Sequence, residues 1–391
     1  MRGRTSTSSS VYGLATVVIV AVVLALALVL GTPGTAAASP APYPSDQQTG
    51  NDQCLSCHSK PGQVISFANG DKLSITIDSK AYSTAVHGHA GLACAACHSD
   101  YTAFPHPAKT TTTLNDFTKQ QSQVCQVCHK DKAKLVQDSV HAKSLAGGNQ
   151  NAPVCADCHN PHTQPKIIDA QTGKVVASER VKVPETCARC HNAIYETYKQ
   201  SVHGSALIGE GNPDVPTCID CHGVHDISDP TTIAFRLASP QMCSNCHTDA
   251  SVMGKYKLST QVLTSYVSDF HGTTVTLFEK LSPDQQTNKP VCFDCHGIHD
   301  IAKTTDSQKG LAIKQNMLVA CKKCHPDATT NFPDSWLSHY IPSPDRAPLV
   351  FYVNAFYYWI FIPGLIGGFL IFVISDAIRR RIDRAKKARH A

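Results

Sequence analysis

Nine times in this 391-residue chain two cysteines stand three positions apart with a histidine directly after the second. The cysteine pairs are Cys54 and Cys57, Cys94 and Cys97, Cys125 and Cys128, Cys155 and Cys158, Cys187 and Cys190, Cys218 and Cys221, Cys243 and Cys246, Cys292 and Cys295, and Cys321 and Cys324. The histidines that follow them are His58, His98, His129, His159, His191, His222, His247, His296 and His325, and no cysteine is left over. At this spacing two thiols can add across the vinyl groups of a haem while the adjoining imidazole takes one face of the iron. Structural zinc accepts paired cysteines but has no need of a histidine behind each pair. A disulfide framework suits an even cysteine count in an exported chain, yet it leaves the nine histidines unexplained. The expected cofactor is therefore haem c, covalently bound at nine sites.

Each iron has a second face. Eleven histidines lie outside the pentads, and nine of them recur at repeated positions: His87, His106, His141, His162, His203, His225, His271, His299 and His339. Only His89 and His390 remain over. Val86-His87, Val140-His141, Val202-His203 and Phe270-His271 share one local pattern, each followed by Gly or Ala, while His162, His225 and His299 stand three residues after a pentad. His106 and His339 fit the repeat less closely. Methionine cannot serve nine irons, because the chain has only four, Met1 included. Two imidazoles per iron close all six coordination positions and hold the potentials low, which suits electron transfer and leaves little room for a substrate.

Spacing also says which iron a second histidine cannot reach. His225 is too near His222 for the chain to pass around a porphyrin. Residues 192–202 read as one helix, which puts His203 roughly 18 Å from His191 at 1.5 Å per residue. Distal ligands must therefore be donated to neighbouring haems. Exchange within a two-haem module is the favoured pattern, His203 serving the haem at Cys218 and His225 the haem at Cys187, with donation between modules left open.

The elements that position these residues follow a period of two pentads. Module one runs from Cys54 through His87 and Cys94 to His106, module two from Cys125 to His162, module three from Cys187 to His225, and module four from Cys243 to His299; a half unit holds Cys321 and His339. One site about every 30 residues is too dense for an ordinary core, so short helices and loops should wrap around porphyrins that supply apolar volume. Asn69-Gly70 between alternating apolar positions predicts a β-hairpin over residues 64–78, and Thr172-Gly173 a weaker one over 167–176. The predicted organisation is an export signal or uncleaved anchor (1–38), a linker (39–53), a nine-haem domain (54–332), a second linker (333–348), a transmembrane helix (349–374) and a basic cytoplasmic tail (375–391).

Both ends speak of a membrane. Arg2 and Arg4, an apolar run over 11–30 and Ala36-Ala37-Ala38 have the form of an export signal. Leu349 to Ile374 is a nearly uncharged run long enough to span a bilayer, and Arg379, Arg380, Arg381, Arg384, Lys386, Lys387 and Arg389 behind it place the C-terminus on the cytoplasmic side. Phe351, Tyr352, Phe356, Tyr357, Tyr358 and Trp359 crowd the start of the span as an interfacial aromatic belt, or as a surface facing a partner or quinone. Residues 40–348 carry 26 Lys and Arg against 28 Asp and Glu, a balance of −2, so no basic surface for nucleic acid exists.

The Val202-His203-Gly204 segment, with Cys218 to His222 and Gly223-Val224-His225-Asp226, and its echo from Cys292 to Asp300, resembles the membrane-associated multihaem c-type cytochromes. The likeness is to the doubled Cys-x-x-Cys-His family and the decahaem respiratory cytochromes, and it covers about residues 54–325. It implies a mainly α multihaem fold with much coil, and electron transfer along bis-histidine haems between a membrane quinol pool and an exported acceptor. The membrane segment holds no histidine, so a separate cytochrome b or other quinol-reactive subunit is the expected partner. The chain thus reads as an electron-transfer protein, or the electron-transfer subunit of a quinol dehydrogenase, with electrons passing between Cys321 and Cys54. The competing reading is a reductase or oxidase of a small nitrogen or sulfur compound, its open iron at the haems near Cys94 or Cys321.

Overall fold

The computed structural model describes residues 49–390 apart from 102, 108, 109, 337 and 338. The export segment expected over residues 1–38 lies outside the described residues. What is described is mainly helical, in short pieces joined by coil, with one two-stranded sheet and one long C-terminal helix. The first helix, Thr49–His58, begins inside the stretch read as linker and carries the first pentad.

The helices are short because the sequence keeps restarting them. Ser79–Thr84 ends at Ala85 and resumes as Val86–His89. Lys130–Gln137 is followed by Ser139, and Val140–Ala146 resumes. Asn192–Gln200 stops at Ser201 before Val202–Gly204, and Val262–Ser268 stops at Asp269 before Phe270–Leu281. Ala85, Ser139, Ser201 and Asp269 each adopt an extended backbone, and in three of the four breaks the side chain caps the new helix: Ser139 accepts from Ala142 N–H, Ser201 from Gly204 N–H, and Asp269 from His271 and Gly272 N–H. These are N-caps of the usual kind, each satisfying backbone donors that a helix start leaves orphaned. The single helix expected over 192–202 is thus broken at Ser201, which puts His203 in the first turn of a new helix aimed away from the old axis.

The hairpin over 64–78 forms as expected, with β1 (Val64–Ser66) antiparallel to β2 (Lys72–Ser74) and Ile65 opposite Leu73. Phe67 at its tip packs on Phe117 of helix Leu114–Ser122. The second hairpin is reduced to a single bridge between Ile168 and Val175.

Protein-only core is scarce. The principal buried apolar cluster is Leu237, Val275 and Val291, with Ile233, Phe278 and Phe293 against it. This is the pattern of a chain whose apolar interior is completed by something other than side chains. Beyond the last pentad a helix begins at Pro348, passes through a π-helical turn at Tyr357–Phe361 and continues to His390. It is long and apolar enough to cross a membrane, and none of its apolar window is buried against the rest of the described chain. The basic segment read as a tail continues this helix.

Candidate functional site

The histidine rings build the site. Each pentad histidine stands against one histidine from outside the pentads, giving nine pairs: His58 with His106, His98 with His162, His129 with His87, His159 with His225, His191 with His141, His222 with His299, His247 with His203, His296 with His339, and His325 with His271. Ring centroids in every pair lie 6.0 to 6.4 Å apart. Metal–imidazole bonds are about 2 Å long, as zinc sites show. Two of them, with about 1 Å from each ring nitrogen to its centroid, span about 6 Å. The residues present therefore fit an iron between the members of each pair, and direct ring stacking does not explain the distance.

The pairing departs from exchange within a module. His203 stands against His247, next to Cys246, and His225 against His159, next to Cys158. The haems at Cys218 and Cys187 are faced instead by His299 and His141. A two-way rule describes eight of the nine pairs. The first distal histidine of a full module goes forward to the first pentad of the next, and the second, like the half unit's lone His339, goes back to the second pentad of the one before. His106 is the exception, and it closes on His58 of its own module. His106 and His339 therefore face the sites at Cys54 and Cys292, while the sites at Cys94 and Cys321, proposed above as open, are faced by His162 and His271.

Backbone bonds run in the same forward direction. Val86 N–H donates to Gln164 O, Val140 N–H to Ile227 O and Val202 N–H to Ile301 O, at 2.8 to 2.9 Å. Each joins the residue before a first distal histidine to the carbonyl two residues beyond the second distal histidine of the next module. Where the chain must reverse after a pentad, Gly223 and Gly297 take positive φ of 78° and 81°. Side chains other than glycine disfavour that region, and the reversal sends His225 and His299 backwards to the preceding module.

Three further residue sets hold the pentads in place, and none was singled out from the sequence. Asp157, Asp220 and Asp294, each directly before the second cysteine of its pentad, accept from Val154, Thr217 and Val291 N–H at 2.7, 2.6 and 2.6 Å. Arg180 grips Asp220 with two hydrogen bonds, and Arg236 does the same to Asp294; both arginines stand seven residues before the first cysteine of their module. Tyr82, Tyr198 and Tyr266 donate their hydroxyls to Leu92, Pro216 and Pro290 carbonyls, two residues before the second pentad. Each tyrosine stands five residues before a distal histidine. The repeated offsets of Arg, Asp and Tyr were the available signals.

Burial sets the protonation of the rings. It pushes the His203 and His296 imidazoles down to about 4, and lowers His141, His162, His222, His225, His247, His299 and His339 as well. A neutral imidazole is the form that binds a metal. Several Nδ1 atoms have partners on other segments, His58 with Ile75 O at 3.0 Å and His87 with Pro161 O at 3.1 Å. Such bonds orient the ring and leave Nε2 for a metal.

The sites form one row. Within each module the first cysteines of the two pentads are close enough to perturb each other: Cys54 and Cys94, Cys125 and Cys155, Cys187 and Cys218, Cys243 and Cys292. Between modules Cys97 neighbours Cys128, Cys158 neighbours Cys187, Cys221 neighbours Cys243, and Cys295 neighbours Cys321. Chain order and spatial order coincide.

Comparison with known proteins agrees with this chemistry. The cytochrome c3 family profile matches residues 169–248, which hold three of the pentads. The multiheme cytochrome MtrA of Shewanella baltica (strain OS185) is 26% identical over 215 residues, 51% of this chain and 53% of that relative. The match thus spans about half the length of the curated relative. No solved structure matches. The pentads and these two likenesses support a multihaem c-type cytochrome that carries covalently bound haem c and transfers electrons.

Proposed function

We propose that the chain is a membrane-tethered nine-haem cytochrome that conducts electrons between a membrane quinol pool, met directly or through a cytochrome b partner, and an exported acceptor. Bound haem supplies a one-electron couple at each site. The chain's own residues attach it through eighteen cysteines, close both faces of each iron with a histidine pair, and keep the sites in one row. The haem segment lies on the extracytoplasmic side and the basic end of the long helix on the cytoplasmic side, as the charge distribution favours.

The observation that carries this reading is the set of nine ring pairs, each at a spacing that admits one iron and leaves no face for a substrate. An enzyme acting on a small nitrogen or sulfur compound needs an open position at one iron. Haem quantitation with electron paramagnetic resonance on the membrane-purified protein separates the two. Nine haems, all low-spin, with negligible carbon monoxide binding support a conduit. A stoichiometric high-spin ferric signal supports the enzyme instead.

A further inference from the structure

We infer that the groove between the membrane linker and the first turns of the long helix binds the ring of a bilayer-dissolved quinone, beside the haem attached at Cys292. This rests on the quinol-linked reading above and names its site. The groove has a volume of about 250 Å³ and is lined by Ile341, Pro342, Phe351, Asn354, Ala355, Tyr358 and Trp359.

Position limits the occupant first. Asn354 lies six residues beyond Pro348, about 9 Å along the helix axis, within the apolar stretch able to cross a membrane. A ligand reaching the groove from that side must dissolve in the bilayer. The linker wall is built rather than loose: Ser343 and Arg346 exchange backbone hydrogen bonds at 2.7 and 3.1 Å, and the Arg346 guanidinium lies 3.6 Å from the centre of the Tyr340 ring.

The wall's chemistry limits it further. Phe351, Tyr358 and Trp359 offer flat apolar surface, while the Asn354 amide, the Tyr358 hydroxyl and the Trp359 indole N–H are its polar side-chain groups. An amide facing hydrocarbon is costly without a hydrogen-bonding partner. A flat ring with an oxygen on each edge and an isoprenoid tail meets both requirements, whereas a plain acyl chain leaves the amide unanswered. Tyr358 and Trp359 belong to the π-helical turn Tyr357–Phe361, a local widening that recurs at functional positions in helices.

Connectivity names the haem. Ile341 stands two residues after His339, and His339 faces His296 and not His325. The membrane-side site is therefore the one at Cys292, although the pentad at Cys321 is nearer in sequence to the membrane. Oxidation of one quinol at this place releases two electrons, accepted singly by two ferric haems, and two protons to the aqueous side.

The test uses full-length haem-loaded protein in lipid nanodiscs, with a photoreactive azido-naphthoquinone for binding and a short-chain naphthoquinol for reduction. The inference expects label on the peptide spanning residues 341–359. It expects Asn354→Leu to weaken binding about tenfold, the loss of one hydrogen bond, and Ala355→Trp to abolish it by filling the groove. Quinol reduction should slow in parallel, while reduction by dithionite, haem content and the low-spin spectrum stay unchanged. If the wild type is reduced and both variants match it, or label falls elsewhere, the groove is overturned and the quinol reading stands. Reduction only with a cytochrome b partner present has the same meaning. If quinol reduces no combination, the quinol reading itself falls.

Discussion

At the scale of single residues, the pairings decide which iron each distal histidine serves, and they can be tested one at a time. His203 faces His247, so His203→Gly should open one iron of nine to carbon monoxide, and that iron should be the one attached at Cys243. Adding Cys243→Ser and Cys246→Ser, which remove that haem, should abolish the new carbon monoxide band. Persistence of the band in the triple variant would restore the exchange within module three that spacing alone favoured. Which eighteen histidines to single out was legible because the pattern repeats, and the structure brings them together in nine pairs. Their partners were not legible, because a ligand pair joins residues 40 to 80 positions apart through a porphyrin, and no local spacing records that.

At the scale of elements, the broken helices before His87, His203 and His271 depend on a close approach that a glycine permits. A Cβ on Gly204 would fall on the Tyr198 carbonyl, and one on Gly88 or Gly272 on the carbonyl of Tyr82 or Tyr266. Gly204→Ala should therefore cost about 1 to 3 kcal/mol, as overpacking does, read as a lower thermal midpoint of the holoprotein. Ala142→Gly, at the equivalent place in module two, should cost only about 0.5 to 1 kcal/mol. The second elemental device is the Arg180–Asp220 grip beneath the pentad helix Cys218–His222. Asp220→Ala removes both the cap and the arginine's partner, and a loss of about 2 to 4 kcal/mol is expected with the haem spectrum preserved; an unchanged midpoint would deny the grip any structural role. Sequence reasoning placed the hairpin over 64–78 correctly from Asn69-Gly70. It ran one helix through Ser201, since a serine inside an amphipathic stretch does not reveal itself as a cap until Gly204 is seen packed behind it.

At the scale of the whole molecule, the described residues form short helices with little apolar core of their own, and histidine pairs join neighbouring modules. Removing residues 349–391 should release the protein from membranes with its haem content unchanged, because His339, the last distal histidine, is retained. Intact mass would show nine haem increments in both forms, and fewer in the truncated one would mean that the helix contributes to assembly. The two-pentad repetition and a C-terminal helix long and apolar enough to cross a membrane were both readable from cysteine and hydropathy patterns. Consecutive pentads neighbour one another in space, which the sequence suggested only by its regular period.

If the chain is exported from its N-terminus and loaded with haem, as proposed, the histidine pairing would set a timetable. Histidines 87, 141, 203 and 271 precede the pentads they face, so the irons at Cys125, Cys187, Cys243 and Cys321 meet a waiting partner on attachment. The histidines that face the sites at Cys54, Cys94, Cys155, Cys218 and Cys292 lie later in the chain, so haem bound there would lack its second imidazole until those segments emerge. Maturation then alternates between sites that seal at once and sites left reactive for a time, and the last to seal waits for the stretch that touches the membrane.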